Sequence, residues 1–319
     1  MTSILKHIAT PSKQLLFVLK FIISIGLLYF ISQKIISAIE TNDFLDIELS
    51  KNWCYFALLV PLFTIINWGL EAKKWQFLTA NTQQLTYRQA FGSVLAGLST
   101  GLVTPNRLGN FIGRNVYIEK SNQVRSVYET QLGNLSQFLI SILVGVLAFS
   151  ATIIRFEISI NPILVFILAL FVLILGLILY FKLSLITKFK LGQWLYKKDK
   201  ANINYIINIP LRLKFTILTL SLVRYFVFIF QYNLIFLVFT SDYSILDISL
   251  LSATTFLMTT IIPSLFFGKL LVRESSALIA FSWASISVPL IIIVSFSLWF
   301  INLAVPGIVG LIIWLKKLK

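Results

Sequence analysis

Six long apolar runs, residues 14–38, 53–78, 128–154, 162–182, 214–240 and 284–315, leave this chain few ways to fold. An α-helix needs about 20 apolar residues to cross the hydrocarbon of a bilayer, and every run reaches that length. With 58% hydrophobic residues, 12% charged residues and a mean hydropathy of +0.89, the chain lies outside the range of water-soluble domains. It reads as an all-α integral membrane protein, because a helix satisfies its own backbone in lipid. Lys6, His7 and Lys13 precede the first run as they would in a signal peptide. No small-residue cleavage site follows, so that run reads as a retained helix.

Basic residues mark the cytoplasmic side of a membrane protein. Residues 183–214 hold seven of them (Lys188, Lys190, Lys197, Lys198, Lys200, Arg212 and Lys214) against Asp199, and the tail ends in Lys316, Lys317 and Lys319. Both segments are therefore expected inside. The first connection, with Glu40, Asp43, Asp46 and Glu48 against Lys51, and the connection with Asp242 and Asp247 are expected outside. The formal charge of +15 is thus explained by topology and anionic lipid headgroups rather than by nucleic acid.

Two further stretches break apolar segments in the same manner. One runs Thr104-Pro105-Asn106-Arg107-Leu108-Gly109-Asn110-Phe111-Ile112-Gly113-Arg114, and the other Ile262-Pro263-Ser264-Leu265-Phe266-Phe267-Gly268-Lys269-Leu270-Leu271-Val272-Arg273-Glu274. Proline removes a backbone donor, glycine loosens the chain and charges follow at once. If residues 87–103 crossed the membrane, the seven-base loop would fall outside, against the charge rule. A hairpin that enters and turns back, with its breaks at Pro105 and Gly109, restores the parity. A second hairpin, with breaks at Pro263 and Gly268, leaves the C-terminal lysines in the cytoplasm. The expected architecture is six spanning helices plus two broken re-entrant hairpins in an inverted-topology repeat, residues 1–154 and 155–319, within one transmembrane domain. Both termini are then cytoplasmic. Such repeats hold a polar substrate where the two broken elements approach each other.

Residues able to carry chemistry cluster around the breaks. Arg107 and Arg114 are seven apart, so they share a face if 108–117 is helical, and a guanidinium fork matches two oxygens of a lipid phosphate. Arg224 lies about ten residues into an apolar run, where a charge costs about 2.5–3.5 kcal/mol to insert and demands a partner or a wet cavity. Glu274 is a candidate partner for it, or for its own neighbour Arg273. Glu71, Lys73 and Lys74 read as an interfacial cluster. The polar residues Asn134, Gln137 and Ser141, and Gln231 and Asn233, are suited to interhelical hydrogen bonds. One cysteine, Cys54, and one histidine, His7, exclude an intramolecular disulfide, a Cys/His zinc site and a histidine-based triad. With no metal constellation, glycine-rich phosphate loop or nucleophile elbow, no cofactor is expected and catalysis is the minority reading.

The first broken stretch resembles the Pro-Gly-Arg-Leu-Gly-Glu motif of the lysylphosphatidylglycerol synthase/flippase transmembrane-domain family. The segment from Gly268 to Glu274 is similar to that family's later Gly-Gly-Ile-Gly-Val-Arg-Glu, and Asn67-Trp68 with Lys74-Trp75 resembles its helix ending in a basic-Trp pair. Asn106 and Asn110 stand where the family often has Gly and Glu, and Lys269 and Leu271 where glycines are usual. The chain ends at Lys319 directly after the last run, so the resemblance covers the lipid-handling part without the cytoplasmic aminoacyl-transfer domain. It implies a lipid translocase or lipid-binding transporter of the inner cell membrane. An anionic or aminoacylated phospholipid headgroup would be held by Arg107, Asn110, Arg114, Arg224, Arg273 and Glu274. Membrane phospholipids are the expected partners, with a separate lipid-modifying synthase or glycosyltransferase as a protein partner. The alternative is an integral-membrane enzyme or accessory subunit of polyprenyl-phosphate or glycolipid synthesis.

Overall fold

A computed structural model describes residues 11–41, 49–104, 107–188, 193, 199–240, 242–263 and 268–318. All regular structure among them is helical: α1 (Pro11–Glu40), α2 (Trp53–Thr79), α3 (Tyr87–Leu102), α4 (Gly109–Arg114), α5 (Gln123–Arg155), α6 (Pro162–Phe181), α7 (Lys200–Ile207), α8 (Leu211–Phe239), α9 (Ile245–Ile261), α10 (Gly268–Ser282), α11 (Val288–Trp299) and α12 (Val305–Leu318). Six helical stretches are long and apolar enough to cross a membrane: Lys20–Glu40, Trp53–Thr79, Lys120–Arg155, Pro162–Phe181, Leu211–Phe239 and Val288–Lys317. Each coincides with one of the apolar runs. The chain is a multi-pass membrane protein by that measure.

Local chemistry sets the helix starts. Thr86 and Gln89 form a reciprocal capping box at α3, the Asn161 side chain caps α6 before Pro162, and Ser244 caps α9. Pro289 sits in the first turn of α11, where its missing donor is harmless. That turn moves the start of the last span from residue 284, as read from hydropathy, to Val288.

Helices α2 and α8 pack closely along each other. Gln231 donates to the Val60 carbonyl and the Thr64 hydroxyl, both at 3.0 Å, so the middle of this pair is stitched by hydrogen bonds rather than by apolar contact alone. Asn233 bonds Ser249 of α9, and Ser136 of α5 bonds Ser221 of α8 at 2.9 Å. Of the polar row expected on α5, Gln137 reaches the Ser221 carbonyl at 3.5 Å, whereas Asn134 points outward. Helices α1 and α6 are peripheral: only 6% and 12% of their most apolar windows are buried, against 50% for α5 and α8.

Short helices pair through glycine. A Cβ on Gly109 or Gly113 of α4 would collide with the Thr100 and Ala96 carbonyls of α3. The two backbones lie against each other, as small residues permit in membrane proteins. Gly310 of α12 meets the Leu95 carbonyl of α3 in the same way, and Gly145 of α5 meets Leu257 of α9. The first short-helix pair, α3–α4, thus packs on the last helix of the chain, and the second, α9–α10, packs on α5. Pro105 lies outside the described residues; Gly109 and Gly268 open α4 and α10, and Pro263 follows α9.

Candidate functional site: a carboxylate encircled by three cations

On α2, Asn67, Trp68, Glu71, Lys74, Trp75 and Leu78 recur at helical spacing and form one buried stripe. Glu71 is the hub. Its carboxylate receives Arg114 Nη2 at 2.6 Å on Oε1, and Arg224 Nη1 and Lys74 Nζ, each at 2.8 Å, on Oε2. Glu71, Lys74 and Arg114 are 3%, 2% and 5% exposed and the Arg224 side chain 12%, so three cations share one acid inside the bundle.

Each cation is steered by a second neutral group. Arg114 donates Nε to Asn110 Oδ1 at 2.8 Å, one turn back on α4, and its guanidinium lies 5.1 Å from the Trp75 ring centre. Arg224 donates Nε to Asn67 Oδ1 at 2.7 Å and lies 5.2 Å over Trp68 and 5.5 Å over Phe228. Lys74 reaches the Gly133 carbonyl at 3.3 Å and the Ser221 hydroxyl at 3.4 Å. Asn67 in turn donates to Asn302 Oδ1 at 3.2 Å, and Trp68 Nε1 to the Asn302 carbonyl at 2.9 Å. Asn302 belongs to a π-helical turn, Phe300–Ala304, between α11 and α12. Such wide turns recur at functional sites. Four helices and this turn therefore converge on Glu71.

The arrangement redistributes the residues expected from the sequence. Arg114, Asn110 and Arg224 come together around Glu71. Arg107 does not share a helical face with Arg114, because helix α4 spans only Gly109–Arg114 and Arg107 precedes it with φ 57°. Its side chain stays accessible and lies in the electrostatic field of Arg224, while Lys269, at the start of α10, lies in the fields of Arg107 and Lys20. The expected Arg224–Glu274 pair is not formed: Arg224 pairs with Glu71, and Glu274 with its neighbour Arg273. The interfacial cluster is also corrected. Glu71 and Lys74 are buried, whereas Lys73 points outward, donating to Gln76 at 3.0 Å and lying 4.9 Å over Phe77.

Sequence reading missed Glu71 as the hub and Lys74, Asn67, Trp68 and Trp75 as its surroundings. The signal was the i, i+4, i+7 stripe on α2, which puts Glu71 and Lys74 on one face and Lys73 on another. Among the described residues, no group of three or more His, Cys, Asp or Glu side chains is placed to hold a metal ion. No protein-family model, curated protein or solved structure matches the chain.

Proposed function

We propose that this chain is a flippase-like lipid translocase or lipid-binding transporter, akin to the transmembrane part of the lysylphosphatidylglycerol synthase/flippase family, acting on an anionic or aminoacylated phospholipid headgroup. The observation that carries the reading is the charge imbalance at Glu71. Three cations on one carboxylate, with Lys74 and Arg114 buried and Arg224 nearly so, leave positive charge uncompensated in a low-dielectric interior, which is costly unless an anion joins them. A lipid phosphate supplies that anion, and the guanidinium groups of Arg114 and Arg224 offer the paired donors that bind phosphate best. Arg107 and Lys269 stand as an accessible cationic approach to the site.

The packing supports the same reading. Each short-helix pair leans on the final long helix of the other half of the chain, the exchange expected if α3–α4 and α9–α10 are re-entrant hairpins of an inverted repeat. In this arrangement both termini face the cytoplasm of the inner membrane, and membrane phospholipids are the partners. The test is to identify the lipids that co-purify with the chain and with an Arg114→Ala/Arg224→Ala variant. Loss of one anionic headgroup class from the variant is expected. An unchanged lipid profile would overturn the proposal.

A further inference from the structure

The second half of the chain holds a polar cluster that the Glu71 site does not use. On α10, Glu274 and Ser275 are 8% and 1% exposed; Tyr232 of α8 and Ser295 of α11 are 1% and 0% exposed. One Glu274 oxygen, Oε1, receives Arg273 Nη2. The other oxygen has no hydrogen-bond partner, and neither do Arg273 Nε or the Ser275 hydroxyl, while the Tyr232 and Ser295 hydroxyls have none beyond each other. The Tyr232 hydroxyl faces Ser295 and lies in the fields of Glu274 and Arg273, so these groups converge from three helices. Native interiors seldom leave polar groups unpaired, and so many together call for a missing participant.

A proton fits this place without needing a cavity. On Glu274 Oε2 it would turn a buried, unpaired acceptor into a donor. It would also change what Arg273 can do. With Glu274 ionised the pair is neutral, and an added phosphate monoanion would bury a net negative charge, which the interior resists. With Glu274 protonated, Arg273 is released and the same anion makes a neutral assembly.

We propose that Arg273 and Glu274 form a proton-linked anion site, in which uptake of a proton by Glu274 frees the Arg273 guanidinium to hold a lipid phosphate. The proton comes from water to Glu274 Oε2 as the ion pair opens, and returns when the anion leaves. The net charge of the pocket is the same in both states. Arg273 is positioned to meet a ligand: its side chain is 12% exposed, and Lys269 lies one turn earlier on the same helix, accessible and in the fields of Arg107 and Lys20. The ionisable neighbours favour this cycle over competing ones. Besides Arg273, Glu274 faces Tyr232 from α8; α11 brings no ionisable side chain, and the one on α9, Asp247, is held by Arg155. Helix α1 contributes the described cations Lys20 and Lys34, with Glu40 at its far end. The inference rests on the anion-handling reading above and adds to it a source of drive, since a proton gradient would bias anion occupancy.

The test uses the full chain in phosphatidylcholine nanodiscs, with dihexanoyl phosphatidylglycerol as probe because its phosphodiester charge is constant around neutral pH. Binding and proton uptake are measured together in weak buffer, in the parent and in an Arg224→Ala background. Expected are uptake of about one proton per probe bound at this site and affinity that falls about tenfold per pH unit on the alkaline side. Glu274→Gln, which mimics the protonated acid, should bind the probe without uptake and independently of pH, and Arg273→Ala should lose this binding. Infrared difference spectra of the parent supply a measurement independent of the Arg224 variant's folding: a protonated-carboxyl band should appear on adding probe, vanish in Glu274→Gln and survive in Glu129→Gln, which removes a buried carboxyl of α5 outside this cluster. Absence of uptake, or uptake that persists in Glu274→Gln, overturns the inference while leaving the Glu71 site untouched. Conversely, unchanged probe binding and Glu274-dependent uptake in Arg224→Ala would sink the Glu71 reading and leave this one standing.

Discussion

Glu71→Gln is the most informative single substitution, because it removes the one carboxylate that Lys74, Arg114 and Arg224 share. The side chain keeps its shape, so the cost is electrostatic. Breaking a buried ion pair by neutralising one partner costs about 3–5 kcal/mol. At about 2 °C per kcal/mol for a chain of this size, the thermal midpoint in detergent should fall by roughly 6–10 °C. Two further outcomes separate repulsion among the cations from a mere packing fault. Adding Lys74→Met to Glu71→Gln should restore part of the loss, giving a non-additive coupling of about 0.5–3 kcal/mol. Anionic phospholipid should also stabilise Glu71→Gln more than it stabilises the parent, since a phosphate then stands where the carboxylate was. A variant as stable as the parent, or one indifferent to anionic lipid, would refute the reasoning.

Three other outcomes follow from the packing. Gly113→Ala places a methyl group on the Ala96 carbonyl, so α4 must leave α3 and carry Arg114 with it; a loss of about 1–3 kcal/mol in stability, with loss of bound anionic lipid, is expected in thermal-shift and lipid-retention assays. Tyr205→Phe should loosen the α7 helix from α5, seen as faster proteolysis around residues 199–207. Burial pushes the Tyr205 phenol up to about 12, so at neutral pH it stays protonated and donates to Glu129 Oε1 at 2.9 Å. With the exposed Cys54 replaced by serine, a cysteine at Asn122 should label only from the cytoplasm and one at Glu157 only from outside, α5 being the crossing between them; the reverse would invert the proposed orientation.

The spanning helices were legible because length and apolarity are set by the bilayer, whatever the partners inside the bundle. Arg224 was legible too, as a charge too deep to stand alone. Its partner was not. Glu274 was nominated because it follows the second break, yet proximity to a break in sequence does not say which helix faces which. Glu71 was passed over because Lys73 and Lys74 beside it suggest a membrane boundary, whereas of the two lysines only Lys73 is exposed. The two lysines are adjacent in sequence but about 100° apart around the helix, enough to send one to the surface and the other to the carboxylate. The shared face of Arg107 and Arg114 failed for a comparable reason. The left-handed backbone at Arg107 stands just before the helical residues 109–117 and turns its side chain out of their register, a local event that spacing alone does not reveal.

Glycine placement connects these helices to the charges. Gly109 and Gly113 let α4 lie against the α3 backbone, which brings Arg114, at the C-terminal end of α4, to within 2.6 Å of Glu71 on α2. Larger residues would hold α4 away from α3 and displace that guanidinium outward. The same two glycines flank Asn110, whose carbonyl oxygen then fixes the Arg114 Nε and leaves the far end of the guanidinium for the carboxylate. Between α3 and α4, close backbone approach and charge placement are one requirement, which is why a methyl group at Gly113 is expected to cost lipid binding as well as stability.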